Sequence, residues 1–283
     1  MPTTDRLITN VSDTARWVAT YRATETARSD ALFHDHLADR LAGERGHAMV
    51  AAAPRAMRNG WWLVARTKVI DDIVSKAIAD GCDRILNLAA GLDTRPYRLD
   101  LPPELRWVEA DLPGLLAEKQ QLLAGETPRC RLTTHAVDLA DSHARDAFLN
   151  DGLSGASKAL VLTEGLLMYL EESDVRALSR SFTRPEIAWW MLDFAGPGLQ
   201  KRLNKRTGGM LNSAPIKFAP ANGLAFYEDL GWRPVEVDSV FSAAHRFGRL
   251  PLWMRLAARL PQPDPRKPGN QAYSGIVRLT RAR

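Results

Sequence analysis

The sequence predicts an α/β fold, a mainly parallel sheet covered on both faces by helices, with a helical extension in front of it. Three observations carry this. Residues 1–80 hold apolar residues at helical spacing and no strand pattern, whereas from residue 84 onward short apolar runs alternate with helical stretches. The 283 residues, 45% hydrophobic and 25% charged, suit one large core better than two small ones.

Residues 14–41 and 61–79 carry the helical pattern, and Gly43-Glu-Arg-Gly46 and Pro54 read as loops between helices. Arg84-Ile-Leu-Asn-Leu-Ala-Ala90 is the first buried strand, ending at Gly91-Leu-Asp-Thr94. Further strands follow at 106–111, 131–138, 159–163 and 187–194, with helices at 113–123 and 173–182 between them. Residues 231–238 and 274–281 read as closing strands, bringing the count to seven, and the Pro-rich stretch 261–268 as the surface connection joining them. The expected division is a helical cap or lid over 1–80 and a sheet-bearing unit over 81–283.

Composition excludes several functional classes. No apolar run approaches the roughly 18 residues of a membrane span, and no secretory leader stands at residues 1–10, so a cytoplasmic location is the default expectation. Cys82 and Cys130 lack any C-x-x-C spacing and read as buried thiols, not a zinc site. His34 and His36, two apart in an expected helix, would face different ways, so no metal is expected. The net charge of +5 is concentrated in residues 246–283, where nine Lys/Arg stand against one acid. That distribution fits a solvated basic rim, and a nucleic-acid partner is not expected.

In an open parallel sheet, ligands bind beyond the carboxyl ends of the strands. Three strand ends hold suggestive residues. Gly91 lets the backbone approach a ligand, Asp111 stands twenty positions later where a carboxylate can grip ribose hydroxyls, and Asp138-Leu139 pairs an acid with an apolar flank for a base. Singly, Gly91 reads as a turn residue and Asp111 as a helix cap before Pro113. In order and at strand ends, they outline a nucleoside site. A nicotinamide dehydrogenase would need G-x-G-x-x-G, and this loop has one glycine.

These segments resemble the leucine carboxyl methyltransferase-like group of S-adenosylmethionine-dependent enzymes. The resemblance lies in Ala65-Arg-Thr-Lys-Val-Ile-Asp-Asp72, Asn87-Leu-Ala-Ala-Gly-Leu-Asp-Thr-Arg-Pro-Tyr-Arg-Leu99, Val108-Glu-Ala-Asp-Leu-Pro113 with Lys119, Val137-Asp-Leu139 and Thr163-Glu-Gly-Leu-Leu-Met-Tyr-Leu170. It implies a Rossmann-like class I methyltransferase fold with a seven-stranded sheet whose last strand is antiparallel. It also implies S-adenosylmethionine as cofactor, with Arg66 on the methionine carboxylate, Glu164 near the amine, and Ala89 and Gly91 along the backbone. Asp111 with Leu112 would serve the ribose, and Asp138 with Leu139 the adenine. The family usually has glycine at position 89, and Ala89 fits there only with negative φ.

The expected reaction is O-methylation of a small-molecule carboxylate or hydroxyl by in-line transfer, which asks mainly for alignment. Arg22 and Tyr169 are the candidate acceptor-orienting residues. A carboxyl group at a protein C-terminus is the alternative acceptor that the family implies. Trp17, Tyr21, Trp61 and Trp62 could close over the acceptor, though Trp61 and Trp62 read first as core filling. Arg95 and Arg98 are expected to pair with nearby acids.

Overall fold

Along the apolar runs, side chains alternate between two cores, and that alternation makes the sheet. The computed structural model describes residues 11–206 and 215–282. Among these, seven strands form one sheet: β1 (Arg84–Leu88), β2 (Arg106–Asp111), β3 (Arg131–Ala136), β4 (Ala159–Thr163), β5 (Ile187–Ala195), β6 (Trp232–Ser239) and β7 (Ser274–Arg281). Their order is β3-β2-β1-β4-β5-β7-β6. β7 runs antiparallel to both neighbours and the other pairings are parallel, as expected.

The helices are α1 (Val11–Thr26), α2 (Ala38–Ala52), α3 (Trp61–Ala79), α4 (Arg95–Arg98) and α5 (Pro113–Leu122) in the first half. α6 (Ser142–Gly152), α7 (Glu172–Ser181), α8 (Pro197–Arg206), α9 (Ala225–Asp229) and α10 (Val240–Arg246) follow. Leu86 and Leu88 of β1 meet Phe148 and Leu149 of α6 and Leu178 of α7 in one apolar cluster. Ile85, one residue before Leu86, points the other way and meets Ile70, Ile73 and Val74 of α3 and Ala243 of α10. Every residue of β1 and of β4 is buried, as strands covered on both faces must be.

One expectation about the front of the chain is corrected. The helix expected over 14–41 stops at Thr26, because side chains offer the backbone other partners. Glu25 accepts from the Leu32 amide at 2.8 Å and Thr26 Oγ1 from the Asp35 amide at 2.8 Å. His34 and His36 therefore lie in a connection, not a helix, and their rings stack at 5.9 Å. Gly43, with φ 56° and ψ −178°, interrupts α2 as expected, splitting it into two helical pieces across a kink that glycine permits. Finally, α3, on the cap side of the expected division at residue 80, packs into the sheet's own core, and α1 with α2 stands in front of the sheet.

Candidate active site

Strand order reverses between β1 and β4, the place where open α/β sheets bind ligands. A cavity of about 510 Å³ opens there beyond the carboxyl ends of the strands. It is lined at β1 by Ala89 and Gly91, at β2 by Asp111 and Leu112, after β3 by Asp138 and Leu139, and at β4 by Glu164. Arg66 reaches it from α3, Arg22 from α1, and Tyr169 from the turn after β4. Residues spread over nearly 150 positions thus converge because the parallel strands all end on one side.

The β1 loop turns sharply, with φ of 53° at both Ala89 and Gly91. The expectation of negative φ at Ala89 is wrong: the alanine holds the left-handed conformation that a glycine would occupy without strain. The turn aims the Gly91 amide at Asp111, whose Oδ2 accepts it at 2.6 Å, while Oδ1 accepts from the Leu112 amide at 2.7 Å. Burial raises the pKa of Asp111 despite these two donors and Lys119. Behind it on the same face of β2, Glu109 is fully buried and receives Lys119 Nζ at 2.6 Å. After β3, Asp138 Oδ1 accepts from the Ala140 amide at 2.9 Å.

A buried ion network floors the other end of the cavity. Arg66 donates to Glu164 and to Asp193, each at 3.0 Å, and its Nε is buried with no hydrogen-bond partner among the described residues. Arg95 reaches Glu164 at 2.8 Å, Asp93 at 2.7 Å and Asp71 at 2.7 Å. Arg98 grips both oxygens of Asp71 at 2.7 Å, as a planar guanidinium fork can. Burial would raise the Glu164 carboxyl, yet Arg95 and Arg66 outweigh it and hold its pKa below the ordinary value. Asp193 is pushed upward by burial, which Arg66 and the Gly165 amide only partly offset.

The remaining wall is apolar. Trp17 and Val18 of α1, Met57, Trp62, Leu63 and Tyr169 form one contiguous cluster and all line the cavity. Trp62 is therefore more than core filling. Tyr169 bonds the Thr14 side chain, and burial raises its pKa, so it stays a phenol. Arg22, the other expected acceptor-orienting residue, lines the cavity and is also a tie within the fold. Its Nε goes to Asp35 at 2.8 Å and its Nη2 to the Leu92 carbonyl at 2.6 Å, tying α1 to the glycine loop. Among the described residues no histidine lines the cavity, and no cluster of His, Cys, Asp and Glu is arranged to hold a metal.

Asp193, Asp93 and Asp71 were not singled out from sequence. Asp193 carried the same signal as Glu164, an acid at the end of an apolar strand. Asp71 lay inside a quoted motif, but only the contact with Arg95 and Arg98 shows what it does.

The profile of the family described as leucine carboxyl methyltransferase matches residues 15–183. A protein of Parafrankia sp. (strain EAN1pec), described as an S-adenosyl-L-methionine-dependent methyltransferase, is 32% identical over 273 residues, covering 87% of this chain and 84% of its own. A protein of Frankia alni with the same description is 32% identical over 250 residues, covering 83% of this chain and 87% of its own. Among solved structures, one from Thermobifida fusca YX described as a methyltransferase aligns with a TM-score of 0.56 at 17% identity. That alignment covers 100% of this chain and 98% of the other. A DUF574 family protein from Streptomyces avermitilis aligns with a TM-score of 0.55 at 16% identity, covering 95% and 97%. At such identities the likeness is one of fold.

Proposed function

Because this chain belongs to the leucine carboxyl methyltransferase family and is an S-adenosylmethionine-dependent methyltransferase, we propose that it methylates an oxygen of a small molecule held against the apolar wall of the cavity. The observation that carries this is the division of one cavity into a polar half at the strand ends and an apolar half under α1. Membership also sets aside the dehydrogenase alternative.

The residues present fit the cofactor. Its zwitterionic end needs a cation and an anion, and the floor offers Arg66, whose Nε has no partner among the described residues, beside the Glu164 carboxylate. Asp111 stands at the end of β2 for the ribose hydroxyls, with Gly91, Ala89 and Leu112 beside it. Asp138 and Leu139 flank the place for the base. The volume of about 510 Å³ lies within the roughly 300–1,000 Å³ of small-molecule sites. When bound, S-adenosylmethionine supplies an electrophilic methyl group on a sulfonium.

The chain's own work is to align the acceptor oxygen and exclude water. Tyr169, kept protonated by burial, donates a hydrogen bond to that oxygen. With no histidine among the described lining residues, an acceptor that needs no proton removed is favoured, and a carboxylate is one. The test is incubation with methyl-labelled S-adenosylmethionine and panels of apolar carboxylic acids and phenols. Label in an extractable product that mild base releases identifies a methyl ester, and base-stable label a methyl ether. Label confined to precipitated protein overturns the small-molecule assignment and moves transfer to a protein carboxyl group.

A further inference from the structure

Residues 252–260 carry an apolar face that the cavity does not use. The segment is two short helical turns, Leu252–Met254 and Ala257–Arg259. Leu250 is buried, and Met254 and Ala258, each four residues further on, pack against the core shared with α3 and α10. That seating turns the opposite face outward. Leu252 and Trp253 are each 76% exposed, Leu256 73% and Leu260 66%. Single exposed leucines are ordinary on a protein surface, but four large apolar side chains within nine residues are not.

The charges around this face have one sign. No Asp or Glu occurs from residue 239 to 263. Arg246 and Arg249 in that stretch are neutralised by Asp238 and by Glu25 with Asp30. Arg255 and Arg259, interleaved with the exposed leucines, are exposed themselves and have no carboxylate partner among the described residues. The only hydrogen bond of Arg255 among the described residues goes to the Leu250 carbonyl.

We propose that this face docks on an anionic lipid bilayer. Trp253 and the leucines enter the boundary between headgroups and chains, and Arg255 and Arg259 meet lipid phosphates. The contact is peripheral, since no helix of the described residues is long and apolar enough to cross a membrane. A second copy fits worse. A two-fold interface places the same patch on both sides, and a patch without acids would set Arg255 and Arg259 against their own counterparts.

The test is cosedimentation of the full chain with vesicles of phosphatidylcholine alone and of equal parts phosphatidylcholine and phosphatidylglycerol. The wild type should pellet with the mixed vesicles and stay in solution with the neutral ones. Arg255→Gln with Arg259→Gln should weaken binding roughly 30-fold, about fivefold for each charge. Trp253→Ser with Leu256→Ser should abolish it while the thermal melt and S-adenosylhomocysteine affinity stay unchanged, which separates lost docking from lost folding. Equal binding to both vesicles, no binding to either, or undiminished binding by the Trp253/Leu256 variant overturns the proposal. So does self-association, or capture of an acidic protein, that this variant abolishes without any vesicle binding by the wild type.

Discussion

Asp111 and Ala89 show how much rests on single residues at the strand ends. Asp111 is the acceptor we propose for the ribose, and its pKa is raised by burial. As pH falls it takes up its proton earlier than an ordinary carboxylate would. Affinity for S-adenosylhomocysteine should therefore decline on acidification from a pH above the usual carboxylate range. Titration calorimetry of Asp111→Asn should show affinity lower by about 10- to 100-fold at neutral pH, the worth of a hydrogen bond to a charged group, and without that pH dependence. Ala89 at φ 53° is strained in a way that glycine is not. Ala89→Gly should raise stability by about 1 kcal/mol in denaturant unfolding, and a loss of stability would refute the strain.

Between elements, the ion network fastens α3 and α4 to the strand ends. Asp71 of α3 accepts three hydrogen bonds from Arg95 and Arg98 of α4 and is itself buried. Removing one partner of such a set leaves buried cations uncompensated, a penalty of about 3–5 kcal/mol. Asp71→Ala should lose that much in denaturant unfolding and should also weaken cofactor binding, because Arg95 holds Glu164 in place. A second tie, Arg22 with Asp35 and the Leu92 carbonyl, fixes α1 over the cavity. Thr94 Oγ1 donates to the same Asp35 carboxylate at 2.5 Å, so the glycine loop is held from both sides.

At the scale of the whole molecule, the sheet and its two packed faces should unfold as one core, and the cysteines can report it. Cys82 and Cys130 are both buried, and burial pushes their thiols up to about 11. Neither should react with iodoacetamide near pH 8 in the native protein, and both should react once denaturant passes the unfolding midpoint. Native labelling of either at the unfolded rate would contradict the burial. At this same scale α3, which the expected division at residue 80 assigns to the cap, packs against the sheet. Helical periodicity states that a face is apolar, not what covers it.

By itself the sequence determined the strands, their parallel order of use and the acids at their ends. Those follow from local apolar runs and from the rule that ligands gather where such strands finish. The family resemblance, carried largely by the long motif around Gly91, also implied the cofactor. Only the tertiary structure decided the rest. Asp193 meets Arg66 across 127 positions, Arg22 is engaged by Leu92 across 70, and Ala89 takes a conformation set by the turn around it. The partner of a buried charge and the φ of a loop residue depend on contacts distant in sequence, and no local pattern encodes them.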